Sequence, residues 1–267
     1  MGRVIFIGAG PGAADLITVR GAQRLSSADV VLFDALTDPA LRVYAPKARW
    51  IDVGKRGFAD ARLPSGPAYD STKQHAINAL IVEHALESDV VVRLKGGDPS
   101  IFGRLEEELE ALRAVGIACE VVPGVSAALA AAADTQRPLT RRGSGRSVAF
   151  ATAMSREGAV VPARSADTEV FYMGGKQLAA LGRRLRAAGW PPATPVSVVS
   201  RAGWPDQLHT DHTIESLAQA TVVHAGRPTV ITVGAGAAAL DTGPVAASNA
   251  VAPLADARRD AARVSKP

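Results

Sequence analysis

Short runs rich in Val, Ile, Leu and Phe recur along the chain at 4–7, 30–33, 50–53, 90–94 and 117–122. Runs of four to six such residues, bounded by polar or turn-forming positions, read as buried strands. Between the third and fourth run a helix is expected over 71–88, with Ser71 and Gln74 in the form of a capping box. A second helix follows the fourth run. Leu105, Leu109 and Leu112 share one helical face, Glu106, Glu107 and Glu108 crowd the first turn, and Gly116 is placed to end it. Strand and helix alternating in this way argue for a mostly parallel sheet.

After Pro123-Gly124 the pattern changes. Residues 126–133 are almost pure alanine, a helix able to approach a neighbour closely. A second series of strands is then expected at 147–152, 170–173, 195–199 and 229–233, with a helix over about 176–188. The pattern predicts an α/β protein of two domains, 1–122 and 123–240, with mostly parallel or mixed sheets. Two segments lack either periodicity. Residues 57–69 carry two prolines and two glycines and read as a mobile loop. Residues 241–267 read as a disordered tail, with a short helix over 253–264 as the alternative.

Composition narrows the function. Of 267 residues, 47% are hydrophobic, 21% charged and only 4% aromatic, with a net charge of +4. So few aromatics count against a platform that stacks single-stranded nucleic acid, and the basic surplus is small for a nucleic-acid binder. It does suit an acidic ligand. The single cysteine, Cys119, excludes an internal disulfide framework or a cysteine-rich metal centre, and reads as a small core residue. No apolar run reaches the roughly 18 residues that cross a bilayer. With no targeting segment apparent, a cytoplasmic location and no membrane or metal are expected.

The loop Gly8-Ala9-Gly10-Pro11-Gly12 follows the first strand. Gly8, Gly10 and Ala13 satisfy the dinucleotide pattern G-x-G-x-x-A, and Asp34 ends the second strand. Pro11 interrupts that pattern, and no helix is expected before about Thr18, whereas pyrophosphate is held by a helix N-terminus. A tight ligand-free turn and a loop lining the cleft of another ligand are the other two readings.

Longer motifs then follow in order: VIFIGAGPGAADLIT at 4–18, VVLFDAL at 30–36, VGKR at 53–56 and VVRLKGGDPSIFGR at 91–104. VVPGVSAA at 121–128, PLTRRG at 138–143, FYMG at 171–174 and PTVITVG at 228–234 complete the series. Together they resemble the tetrapyrrole (class III) methyltransferases over residues 4–234. VGKR, RLKGGDP and FYMG look most like the members that convert uroporphyrinogen III to precorrin-2 by two methylations, on the route to sirohaem or cobalamin. The resemblance implies S-adenosylmethionine as co-substrate, bound in a cleft between the two domains, S-adenosylhomocysteine as product, and a homodimer. It places Pro11, Gly96, Gly97, Asp98, Ile101, Ser126, Ala127, Met173, Ala202 and Thr229 at cofactor-contacting positions. Asp34 and Lys55 match the acid–base positions.

The residues are consistent with that chemistry. Gly96 and Gly97 permit close backbone approach, and Asp98 could offset a sulfonium or ammonium charge, or form an Asp-Pro turn. Uroporphyrinogen carries eight carboxylates, for which Arg56, Arg93, Lys95, Arg104, Arg141 and Arg142 are candidate donors. The chain departs from the family pattern in lacking a histidine after Gly-Lys-Arg. Arg141 also stands where histidine is common, and Ala153-Met154 replaces Gly-His. These departures bear on the tetrapyrrole more than on the cofactor. A sister methylase, a nicotinamide-dependent oxidoreductase and a cofactor-sensing binding protein are the competing classes.

Overall fold

A computed structural model describes residues 2–54, 67–153 and 164–240. Two sheets succeed one another along the chain. The first contains β1 (Arg3–Gly8), β2 (Val30–Phe33), β3 (Arg49–Asp52), β4 (Val90–Lys95) and β5 (Ala118–Val122), ordered β3-β2-β4-β1-β5 and wholly parallel. The second contains β6 (Val148–Thr152), β7 (Thr168–Tyr172), β8 (Pro195–Ser200), β9 (Leu208–Thr213) and β10 (Thr229–Gly234), ordered β6-β7-β10-β8-β9. There only β6 and β7 run parallel, and the other pairings are antiparallel.

Strand β1 shows why an unbroken apolar run was required. Val4 and Phe6 pack on one face with Ile81, Ala85 and Leu112, while Ile5 and Ile7 pack on the other with Leu25 and Leu41. Both faces are covered by helices, so the alternation of side chains leaves no polar side. Each such side chain removed from water contributes about 1.5–3 kcal/mol. The covering helices include α1 (Val19–Leu25), α2 (Pro67–Glu87) and α3 (Leu105–Ala114). The alanine helix α4 (Ala127–Asp134) lays Ala128, Ala130 and Ala131 on Val170, Val199 and Val230 of the second sheet. Helix α5 (Leu178–Ala187) closes the opposite face with Leu178, Leu181 and Leu185, and α6 (Ala220–Val223) follows a 3-10 turn, Leu217–Gln219, beside it.

Several expectations need correction. Helix α2 begins at Pro67, whose fixed φ suits a first helical position, so Ser71 lies inside the helix and not at its start. The predicted loop therefore loses 67–69, and its remaining residues lie outside the described chain, as does the tail 241–267. Cys119 is exposed, because β5 is an edge strand of its sheet. Strand β9 was not foreseen. Its sequence LHTDHT has no apolar alternation, and its polar side chains bond to one another and to neighbouring elements.

His224, fully buried after α6, sits at the centre of those bonds. Its Nδ1 meets Ser200 Oγ and its Nε2 meets Thr210 Oγ1 at 2.7 Å, while His212 Nε2 lies 2.8 Å from the same hydroxyl. Burial, with His212 and Arg227 nearby, pushes the His224 imidazole down to about 4. In the unfolded chain it would titrate near ~6.5. Between those values the unfolded state holds a proton that the folded state rejects, so stability present above pH 6.5 falls as pH drops toward 4. The loss should be at most about 3 kcal/mol. Denaturant unfolding at pH 7 and pH 4.5 should show the fall, and His224→Gln should flatten it.

Candidate active site

The loops leaving adjacent strands β1 and β4 meet at the carboxyl edge of the first sheet. Gly97 donates its N–H to Gly10 O at 2.7 Å, and both residues have positive φ, +71° and +81°. Gly8, Gly97 and Gly124 then touch backbone to backbone. A Cβ on Gly8 would lie 2.5 Å from Gly124 Cα, and one on Gly124 would lie 2.3 Å from Gly97 O. No other residue fits at these points.

The glycine loop does not open into a helix. A 3-10 turn, Ala14–Leu16, comes first, and α1 starts after Thr18, whose hydroxyl accepts the Gly21 N–H at 3.0 Å. The loop bonds instead to the second half of the chain. Ala13 N–H donates to Gly203 O at 2.7 Å, and Trp204 Nε1 donates to Pro11 O at 3.0 Å. The helix N-terminus that would hold a pyrophosphate is therefore displaced from the loop. Of the three readings of this loop, a cleft wall is the one the geometry fits.

That cleft opens between the carboxyl edge of the first sheet and one edge of the second. Pro11, Gly96, Gly97, Asp98, Ile101, Ser126, Ala127, Met173, Ala202 and Thr229 all line it. Its lining is mostly apolar, with a few polar groups among it, as small-molecule sites are. Asp98 is also a turn former: Oδ1 accepts the Ser100 N–H at 2.8 Å and Oδ2 the Gly124 N–H at 2.9 Å. Ser126 Oγ and Tyr172 Oη are 2.6 Å apart, closing the floor. Burial raises the Tyr172 phenol above its ordinary value, against the pull of Ser126.

The family model described as Tetrapyrrole (Corrin/Porphyrin) Methylases matches residues 3–218. The chain belongs to this family. It is 40% identical over 242 residues to a uroporphyrinogen-III C-methyltransferase of Bacillus subtilis, covering 87% of this chain and 48% of that one. Against the Synechocystis enzyme of the same name, identity is 40% and coverage 88% and 89%. The uroporphyrin-III C-methyl transferase of Thermus thermophilus complexed with S-adenyl homocysteine superposes with a TM-score of 0.73 at 33% identity. That match covers 87% of this chain and 97% of the other. The chain spans about half the length of several curated relatives it matches, from 45% to 50%.

In this tetrapyrrole methylase the two expected acid–base residues differ in standing. Lys55 lies outside the described residues, as does Arg56. Asp34 follows β2 and accepts from Arg93 Nη2 at 2.6 Å. Arg93 and Lys95 are not free to meet a tetrapyrrole. They are 2% and 3% exposed, and both pair with buried Glu108. Burial alone would lower the Arg93 guanidinium, but Asp34 and Glu108 outweigh it and hold it above its ordinary value. Burial, with Arg93 beside it, draws Lys95 down against the pull of Glu108. Arg104 pairs with Glu107 at 2.7 Å, and Arg141 holds the Ala238 and Ala239 carbonyls. Arg142 is exposed.

Sequence reasoning missed Leu36, Tyr172, Arg201, Trp204, Pro228 and Val230 on the cleft wall. Tyr172 stood inside the FYMG motif and could have been found there. Arg201 and Trp204 belong to no motif. Their contribution is a positive-φ backbone at Arg201, φ 52°, and an Arg201–Trp204 cation–π contact at 4.3 Å. Neither leaves a periodic signal.

The glycine contacts give a direct test. Gly124→Ala should lower stability by about 1–3 kcal/mol through overpacking against backbone. Gly116→Ala, at φ +71° with nothing near its Cβ, should cost only about 1–2 kcal/mol of left-handed strain. Thermal unfolding compares them, and only Gly124→Ala should also impair ligand binding in the cleft.

Proposed function

We propose that the chain is an S-adenosylmethionine-dependent C-methyltransferase that converts uroporphyrinogen III to precorrin-2 by two methylations. The carrying observation is the convergence on one cleft of the ten positions, from Pro11 to Thr229, that the family resemblance implies. The residues there fit the cofactor. Gly97 leaves open space above its backbone, with Ser126 Cα and Val125 O the nearest atoms to a built Cβ, each 4.0 Å away. Asp98 supplies a negative charge at the cleft wall, and Ile101, Ala127 and Ala202 supply apolar contact. When bound, S-adenosylmethionine supplies an electrophilic methyl group on a sulfonium.

A reduced tetrapyrrole carbon is nucleophilic because its pyrrole nitrogen pushes electrons toward it. The protein's chief contribution is therefore to hold acceptor and methyl in line and exclude water. Proton removal from the methylated macrocycle completes the step, and we assign it to Asp34, held by Arg93 at the end of β2. Lys55 is assigned as proton donor or carboxylate anchor. Arg142, which is exposed, is a candidate contact for substrate carboxylates. We assign 1–122 and 123–240 as the two domains, and propose a cytoplasmic homodimer that serves sirohaem or cobalamin formation.

Anaerobic incubation with uroporphyrinogen III and S-adenosylmethionine should give a product with two added methyl groups by mass analysis. A product from a later precorrin, with none from uroporphyrinogen III, would favour a sister enzyme instead. Calorimetry should show S-adenosylhomocysteine binding and no binding of NAD or NADP. Asp34→Asn should lower turnover by about two orders of magnitude while leaving cofactor affinity within a few-fold. Wild-type turnover by that variant would remove the base assignment and leave orientation to account for catalysis. Light scattering should return about twice the 27.6 kDa chain mass.

A further inference from the structure

Behind Asp34 lies a chain of buried charges that the proposed reaction does not otherwise use. Glu108, in the first turn of α3, is fully buried. Its Oε1 accepts from Arg93 Nε at 2.9 Å and its Oε2 from Lys95 Nζ at 2.6 Å. Gln74 Nε2 of α2 approaches Oε1 at 3.4 Å. Arg93 also donates to the Leu32 and Leu94 carbonyls and to Asp34. Arg93, Lys95 and Glu108 are nearly inaccessible, whereas the Asp34 side chain is 33% exposed. The network therefore has one open end, and that end is the proposed base.

Apolar residues of similar volume commonly replace buried ion pairs without loss of stability, so stability alone is weak grounds for such a cluster. Its geometry suggests a different use. Arg93 can orient Asp34 only while its own charge is partly balanced from behind, and Glu108 is the group that balances it. Lys95, two residues on from Arg93, restrains Glu108 in turn and stands within electrostatic reach of Asp34. We propose that Glu108 is a positioning residue that acts through Arg93 to fix the orientation and charge environment of Asp34. This rests on the base role assigned to Asp34.

Charge arithmetic gives the assignment a sign. In the wild-type chain Asp34 faces Arg93, Lys95 and Glu108, a sum of +1. Glu108→Gln raises that sum to +2, Lys95→Met lowers it to 0, and the double variant restores +1. Among the described residues, the other charged groups nearby are Glu107 on α3 with its partner Arg104 just before that helix, His75 on α2, and Asp52 at the end of β3. A His75→Gln background removes the imidazole among them from every arm.

The experiment is the pH dependence of kcat for the full chain with uroporphyrinogen III and S-adenosylmethionine. Glu108→Gln should move the acid limb down by about one pH unit and lower kcat about tenfold. Lys95→Met should move the limb up, and the double variant should bring it back toward the wild-type position. A merely structural role for Glu108 predicts losses that add, with no return of the limb. Shifts in one direction for both single variants, or no shift in either, would overturn the assignment. If Glu108→Gln does not fold, Lys95→Met decides alone: an upward limb supports the proposal and an unmoved or lowered limb removes it. Asp34→Asn separates the two levels. Wild-type turnover in that variant would sink the base role itself. Loss of turnover there, with the limb unmoved in the other variants, would sink only the role of Glu108.

Discussion

The mutual contact of Gly8, Gly97 and Gly124 is the constraint on which the rest of the site depends. These residues lie at the ends of β1, β4 and β5, neighbours in the first sheet, and at Gly8 and Gly124 the backbones close to distances that no side chain tolerates. That closure fixes where the chain turns after β4, and so where Gly96 and Asp98 stand. Asp98 reinforces it by accepting the Gly124 N–H, which ties the β4 turn to the segment leading into α4. Since α4 packs on the second sheet, the glycine contacts at the carboxyl end of the first sheet also bear on where the second sheet sits.

A second set of bonds crosses the cleft at its far side. Ala13 N–H and Trp204 Nε1 join the glycine loop to the segment after β8, through Gly203 O and Pro11 O. A Cβ on Gly12 would lie 2.4 Å from Gly203 O, so this contact too is backbone on backbone. The two halves are thus held at both sides of the opening, by Gly124 and α4 on one and Gly203 and Trp204 on the other. Preorganised walls of this kind reduce the ordering cost that a bound ligand would otherwise impose.

What could be read from the sequence follows from which forces leave a pattern. Strand β1 was legible because burial on both faces demands an unbroken apolar run, and α3 because its leucines repeat on one face. Strand β9 was not, since Ser197–His209, Thr210–His224 and Arg137–Asp211 contacts hold it, and side-chain hydrogen bonds have no period. Cys119 was misplaced because an apolar run does not reveal that its strand lies at a sheet edge. The cofactor positions were legible through motif resemblance alone. The burial of Arg93 and Lys95 was not, because a cation beside a motif looks the same whether it meets a ligand or Glu108.

The mixed second sheet explains why distant motifs converge. In a wholly parallel sheet, the end of β7 and the start of β10 would lie at opposite edges. Here β10 runs antiparallel to both β7 and β8, so Thr229 pairs with Ser200 and the Pro228-Thr229 corner shares an edge with Tyr172 and Arg201. Met173 and Arg201, which follow β7 and β8, both carry positive φ, at 58° and 52°. Left-handed backbone at a non-glycine residue is costly, and it persists where surrounding contacts over-determine it. Two such residues turn off the ends of β7 and β8, the strands on either side of β10, and both line the one cleft. The antiparallel topology supplies the shared edge, and the strained turns convert that edge into a wall.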